Sequence, residues 1–237
     1  MNFMKTFSSS ILFILALISV LRSDVYSQGV WTQKADYTGD PRTSACGFVI
    51  GSGGYLGCGF DSASFRRSFQ VYNPATNMWL DVTSMGGVNG SGLSRDAAVA
   101  FSIGNKGYVG TGQGSIPHLN DFWEYNPVTD AWTQKMNFPG SARRKAVGFA
   151  TSTKGYIGLG QDATGFRNDL YEYDPGNNNW TIKNAFPGTP RQLAVAFVIG
   201  TDAYVGTGDD GVNKGDFFKF NTLTNSWSPI AAFPGLP

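Results

Sequence analysis

Residues 120–132 read NDFWEYNPVTDAW, and the segment recurs as SFQVYNPATNMW at 68–79, NDLYEYDPGNNNW at 168–180 and GDFFKFNTLTNSW at 215–227. Each copy places six residues between an aromatic residue (Tyr72, Tyr125, Tyr173, Phe220) and a tryptophan (Trp79, Trp132, Trp180, Trp227). Trp31 stands 48 residues before Trp79, and the later steps are 53, 48 and 47 residues. Self-similarity at this period denotes a fold assembled from copies of one supersecondary unit that cannot bury its own sheet alone.

Upstream of each copy lies a second shared stretch, for example RDAAVAFSIGNKGYVGTGQ at 95–113. The apolar run Ala97 to Ile103, a Gly/Asn/Lys turn and the run Tyr108 to Gly112 predict a tight hairpin of buried strands. Phe122 to Tyr125 predict a third, alternating strand ended by Asn126-Pro127, because proline lacks the ladder donor and asparagine favours a turn. A fourth, outer strand carries the tryptophan. Dry inner strands and a half-exposed outer one describe a blade packed around an axis.

The unit resembles the kelch motif, a hydrophobic run ending in glycine, a loop, then Tyr-x(6)-Trp. The resemblance covers about residues 29 to 237 and implies an all-β, kelch-type β-propeller. The family usually shows adjacent glycines where this chain has Gly57-Cys58-Gly59, Gly110-Thr111-Gly112, Gly158-Leu159-Gly160 and Gly206-Thr207-Gly208; agreement among four copies marks a subfamily variant. Four full four-stranded blades are expected at about 42–79, 95–132, 143–180 and 191–227, with Trp31 on an extra N-terminal outer strand. After Phe233-Pro234-Gly235-Leu236-Pro237 the repeat calls for another arginine, so an incomplete ring is expected, a fragment of about six or seven blades. A self-contained four-bladed ring, or two chains completing one ring, is the alternative. Without closure the first and last blades would expose apolar faces and unpaired edges.

Residues 1–27 read as a signal peptide: Lys5 in a short positive region, the apolar stretch Ile11 to Leu21, and small residues before Gln28. The expected localisation is secreted, periplasmic or cell surface, with residues 28–237 as one propeller domain and no membrane span after cleavage. A net charge of +1 gives no electrostatic case for nucleic acid. Cys46 and Cys58 lie on the first two strands of blade one, equidistant from a turn near Ser52, and an exported chain permits either a disulfide or two buried thiols there.

Catalytic chemistry finds little footing. His118 is the one histidine, read as a solvated loop residue, and no nucleophile motif accompanies it. Two cysteines and one histidine do not build a zinc site, so no metal or cofactor is expected. The galactose-oxidase-like enzymes share the architecture the resemblance implies, yet their copper site needs two histidines. Acids in loops, Asp61, Asp162, Asp209 and Asp210, leave carboxylate-pair hydrolysis open. An arginine column, Arg42, Arg95, Arg143 and Arg191, stands six residues before Phe48, Phe101, Phe149 and Phe197. It could aim guanidiniums at the central channel, where forked donors suit carboxylates, or bind loop carbonyls between blades. The resemblance to kelch proteins implies that this position, with the loops joining second to third and fourth to first strands, lines the binding face. Loop tips after Gly-x-Gly vary (Asp61, Gln113, Gln161, Asp209), as positions that write specificity do. Trp123, Tyr171 and Phe218 are expected to pack between blades. The sequons at Asn89 and Asn179 matter only in a eukaryotic host. The expectation is a noncatalytic scaffold binding a protein or carbohydrate ligand; the alternative is a sugar-acid mutarotase or lyase.

Overall fold

In a computed structural model, which describes residues 29–87 and 94–235, all four repeats form four-stranded antiparallel sheets. The first comprises β1 (Cys46–Ile50), β2 (Gly53–Gly57), β3 (Phe69–Asn73) and β4 (Met78–Val82); the second β5 (Val99–Ile103), β6 (Lys106–Gly110), β7 (Phe122–Asn126) and β8 (Ala131–Gln134). The third holds β9 (Val147–Ala150), β10 (Gly155–Gly158), β13 (Leu170–Asp174) and β14 (Asn179–Lys183), with a two-residue hairpin, β11 (Gln161–Asp162) and β12 (Gly165–Phe166), in its central loop. The fourth is β15 (Val195–Ile199), β16 (Asp202–Gly206), β17 (Phe217–Asn221) and β18 (Ser226–Ile230). Strands neighbour one another in chain order within each sheet.

Local chemistry ends the strands where the sequence says it should. Asn126 Oδ1 accepts the Val128 N–H at 3.0 Å, and Asn73, Asp174 and Asn221 close their turns likewise. Four residues on, Asn77, Asp130, Asn178 and Asn225 take left-handed φ (53°, 46°, 48°, 54°), which short polar side chains tolerate. The closing glycine of Gly-x-Gly is required twice over at Gly112. Its φ is +99°, and a Cβ there would stand 2.6 Å from the Asp96 carbonyl.

Blades stack through aromatic and aliphatic clusters. Phe48 and Phe69 of the first pack with Val109, Trp123 and Tyr125 of the second. Phe101 and Phe122 meet Ile157, Tyr173 and Trp180 of the third; Phe149 and Leu170 meet Ala203, Val205 and Phe220 of the fourth. Each fully buried phenylalanine stabilises by about 1.5–3 kcal/mol. Trp123, Tyr171 and Phe218 all belong to this inter-blade packing.

The tryptophans also latch blade to blade. Trp132 Nε1 donates to the Thr83 carbonyl (2.8 Å) while Thr83 N–H donates to Asp130 (2.9 Å), tying the exit of blade one to blade two. Trp180 and Asn178 grip Met136 in the same way, and Trp227 and Asn225 grip Asn184. Trp79 and Asn77 grip Ala35.

Together the four sheets are the blades of a β-propeller, in one compact unit, Lys34–Pro237. No core cluster joins blade four to blade one among the described residues. The expected outer strand at Trp31 does not form: residues 29–38 are irregular and Trp31 is 99% exposed. An outer strand needs a third strand beside it, and β3, β7, β13 and β17 are each paired with their own. The signal-peptide reading of residues 1–27 and the Asn89 sequon lie outside the described residues. No helix among those residues is long and apolar enough to cross a membrane.

Candidate functional site

The arginine column runs inside the blades. Arg95 Nη1 donates to the Thr111 carbonyl (2.9 Å) and Asp121 Oδ1 (2.7 Å), and Nη2 to Asp121 Oδ2 (2.5 Å). Arg143 repeats this with the Leu159 carbonyl (2.8 Å) and both oxygens of Asp169, and Arg191 with the Thr207 carbonyl (3.1 Å) and Asp216. All three arginines are sealed from solvent. Arg42 differs: Ser68 stands where the others have aspartate, and accepts from Nη1 at 3.2 Å. Burial alone would raise the Asp121 carboxyl, but the Arg95 bonds outweigh it and the net shift is downward. For Asp216 the Arg191 hydrogen bond dominates and holds it below the usual carboxylate range. Each fork therefore ties the strand-one entry, the Gly-x-Gly carbonyl and the strand-three entry of one blade. The signal was present in the sequence as an aspartate before the third strand of blades two, three and four, repeating in phase with the arginine.

Loop acids are largely occupied as well. Asp61 accepts the Ser64 and Ala63 N–H groups and pairs with Arg66, which lowers its carboxyl to about 2. Asp162 accepts from Thr164 and Gly165 and pairs with Arg167; burial opposes ionisation there, yet the net shift is downward. Asp210 is held by Thr189 and Lys214.

What remains for a ligand lies one residue beyond the column. Thr43, Asp96, Arg144 and Gln192 bridge in antiparallel fashion to the residues after Gly-x-Gly, Phe60, Gln113, Gln161 and Asp209. The next positions, Ser44, Ala97, Lys145 and Leu193, all take left-handed φ (51°, 50°, 53°, 57°) and, with Ala45, Ala98, Ala146 and Ala194, line an axial cavity of about 240 Å³. Gln113, Gln161 and Asp209 thus bridge to residues next to those that line the cavity, while Asp61 lies one residue past the bridging Phe60. Asp96, Arg144, Lys145 and Gln192 were not read from the sequence, because they interrupt a column whose other members repeat.

Their bonding is uneven. Arg144 reaches across to Gln113 Oε1 and holds Gln161 Oε1 through Nη2 (3.0 Å) and Nε (3.2 Å). Gln192 Nε2 donates to Asp209 at 3.2 Å. Asp96 Oδ1 and Gln192 Oε1 accept no hydrogen bond from the protein, and both residues are 8% exposed. Lys145 makes no ion pair among the described residues. The site offers buried acceptors short of donors, next to two cations.

Of the two states the sequence left open, Cys46 and Cys58 are free, buried thiols. The hairpin register pairs Cys46 with Gly57, one residue off the symmetry assumed from spacing, and Cys58 lies past the strand at φ 57°. A hydrogen bond to Cys58, with burial, pushes the Cys46 thiol well up. His118 is not solvated: it is half-buried, its Nε2 shielded without a partner, in a cavity with Leu119, Asn120, Asp121 and Trp123.

The class these features define is the β-propeller. No protein-family model and no curated protein sequence matches the chain. Among solved structures it is similar to YjhT, at 20% identity and a TM-score of 0.67, over 83% of this chain and 67% of that one.

Proposed function

We propose that the protein is an exported kelch-type propeller acting as a noncatalytic scaffold that binds a glycan beside its axis. The observation that carries the reading is the pair of donor-starved acceptors, Asp96 Oδ1 and Gln192 Oε1, in a scaffold that satisfies its other loop carboxylates. A buried acceptor without a donor costs about 1–3 kcal/mol, and a ligand rich in hydroxyl groups supplies the missing donors. Arg144 and Lys145 leave room for an acidic substituent on that glycan. Titration calorimetry of residues 28–237 against neutral and uronate-containing oligosaccharides tests it. Binding should occur and weaken at least about tenfold in Asp96→Asn, since one desolvated charged hydrogen bond is worth about 1.5–3 kcal/mol. Failure of every oligosaccharide, or binding indifferent to Asp96 and Gln192, sinks the proposal. A sugar-acid mutarotase or lyase is the weaker reading, because the guanidiniums it relied on are bonded inside the blades.

A further inference from the structure

The arginine fork is one device repeated, and blade one carries it without its acid. In blades two, three and four the residue before the third strand is Asp121, Asp169 or Asp216, whose carboxylate takes both Nη atoms of the column arginine. Ser68 holds that place in blade one: its carbonyl accepts the Cys58 N–H (3.2 Å) as the Asp121 carbonyl accepts that of Thr111 (3.2 Å). The rest of the fork is intact. Arg42 Nη1 donates to the Cys58 carbonyl (3.0 Å) and Ser68 Oγ (3.2 Å), and Nε to the Asp40 carbonyl (3.1 Å). Its guanidinium carbon lies 5.1 Å from the centre of the Tyr37 ring, as that of Arg143 lies 4.8 Å from Phe138.

Blade one falls short at Nη2. Arg143 Nη2 donates to Asp169 (2.7 Å) and Ser141 Oγ (3.1 Å), and Arg191 Nη2 to Asp216 (2.9 Å) and Thr189 Oγ1 (3.1 Å). Asp40 stands in the place of Ser141 and Thr189 but gives its carboxylate to Arg66 (3.1 Å), which also pairs with Asp61. Among the described residues Arg42 Nη2 therefore has no acceptor, and Arg42 forms no ion pair. Tyr37 replaces the phenylalanine of the other turns, and its hydroxyl is sealed without a partner. A half-buried cation without a counter-charge is unfavourable.

This deficit does not depend on a neighbouring blade. The side-chain bonds of Arg143 and Arg191 all come from their own blade and the turn leading into it. The preceding blade bonds only their backbone, the Leu119 carbonyl accepting the Arg143 N–H and the Arg167 carbonyl that of Arg191. The acid side of the fork also reaches solvent where blades flank it, since the side chains of Asp121 and Asp169 are 16% and 27% exposed.

We propose that Arg42 binds the carboxylate of a small monocarboxylic acid, which enters where Asp121 and Asp169 reach solvent in their blades and supplies the charge that Ser68 lacks. The three sister forks show which group this geometry accepts, and planar forked donors favour a carboxylate over a spherical halide. The site is separate from the axial cavity, which Arg42 does not line.

Acetate is the probe, with chloride at equal ionic strength as the control. Melting of residues 28–237 should rise with the logarithm of acetate concentration and not with chloride, and the resonances of isotope-labelled acetate should broaden on adding protein. Ser68→Asp supplies the acid from within, so it should melt above the wild type and lose both responses. Arg42→Lys should weaken acetate binding at least about tenfold, because lysine lacks the fork. Asp121→Ser moves the deficit into blade two, where acetate should recover part of the lost melting temperature; should that variant fail to fold, Asp216→Ser makes the same test in blade four. The wild-type response should persist in Asp96→Asn, which separates this site from the axial glycan site. No acetate effect beyond that of chloride, an equal effect in Ser68→Asp, or one abolished by Asp96→Asn would each overturn the proposal. So would a response seen only in Asp40→Asn, which would make Asp40 the counter-charge.

Discussion

Arg143 and Arg144 are adjacent in the chain and opposite in consequence, so alanine at each gives a direct test of which arginines hold the fold. Removing Arg143 strands the Leu159 carbonyl and the Asp169 carboxylate and empties space against the Phe138 ring, which the guanidinium carbon overlies at 4.8 Å. Breaking such a buried pair from one side costs about 3–5 kcal/mol. That is a large part of the roughly 5–15 kcal/mol that holds a domain folded. At about 2–4 °C per kcal/mol for a chain of this size, melting should fall by about 6–20 °C. Arg144→Ala loses hydrogen bonds to two neutral glutamines at a half-buried site, and the change should stay near about 1 kcal/mol. Thermal and guanidinium denaturation of both variants, with Arg143→Lys as the charge-retaining comparison, supplies the measurement. Lysine should recover less than half the loss, because it offers no fork. Equal destabilisation by the two alanines, or a loss at Arg143 below about 1 kcal/mol, would refute the assignment of the column to the scaffold.

Asp96→Asn should leave melting unchanged or raise it, by up to about 1 kcal/mol, because the native site holds an acceptor without a donor; a clear fall by calorimetry would make Asp96 structural. Asp121 and Asp216 bind protons more weakly folded than unfolded, so their contribution is present above the unfolded value near about 3.9 and is lost as pH falls through the lower folded values. Melting should therefore hold between about pH 7 and 5 and drop below about 4, and Asp121→Asn, less stable at neutral pH, should show a shallower acid decline. Trp180→Phe removes the bond to the Met136 carbonyl and should cost about 1–2 kcal/mol in urea unfolding; no change would mean the latch adds nothing beyond ring packing.

How much of this was legible in the sequence follows from what repetition can and cannot report. A residue that does the same job in every blade appears in phase, so the strand order, the turn at Asn126-Pro127 and the outer tryptophans could be read directly. The same rule marks Asp121, Asp169 and Asp216, which keep constant phase with Arg95, Arg143 and Arg191 and supply the charge that a guanidinium buried in a sheet requires. The site fails the rule from the other side. Thr43, Asp96, Arg144 and Gln192 occupy one backbone position with four chemistries, so no phase marks them, and only the bridges to Phe60, Gln113, Gln161 and Asp209 show that they stand together. Register has a similar limit: counting from a presumed turn at Ser52 put Cys46 opposite Cys58, whereas the hairpin turns one residue tighter and sets Gly57 there.

The same logic separates scaffold from function at the axis. Ser44, Ala97, Lys145 and Leu193 share a left-handed backbone that their side chains do not favour, a strain of order 1–3 kcal/mol each. Glycine would relieve it, and glycine stands at none of the four positions. The backbone there is fixed by the hydrogen bonds that run from blade to blade, so the scaffold accounts for the conformation but not for the residues chosen to bear it. Cys58, Thr111, Leu159 and Thr207 take the same left-handed backbone inside the blades, so the conformation belongs to the scaffold, and what varies around the cavity is the side chain, Lys145 being the one charged group that lines it.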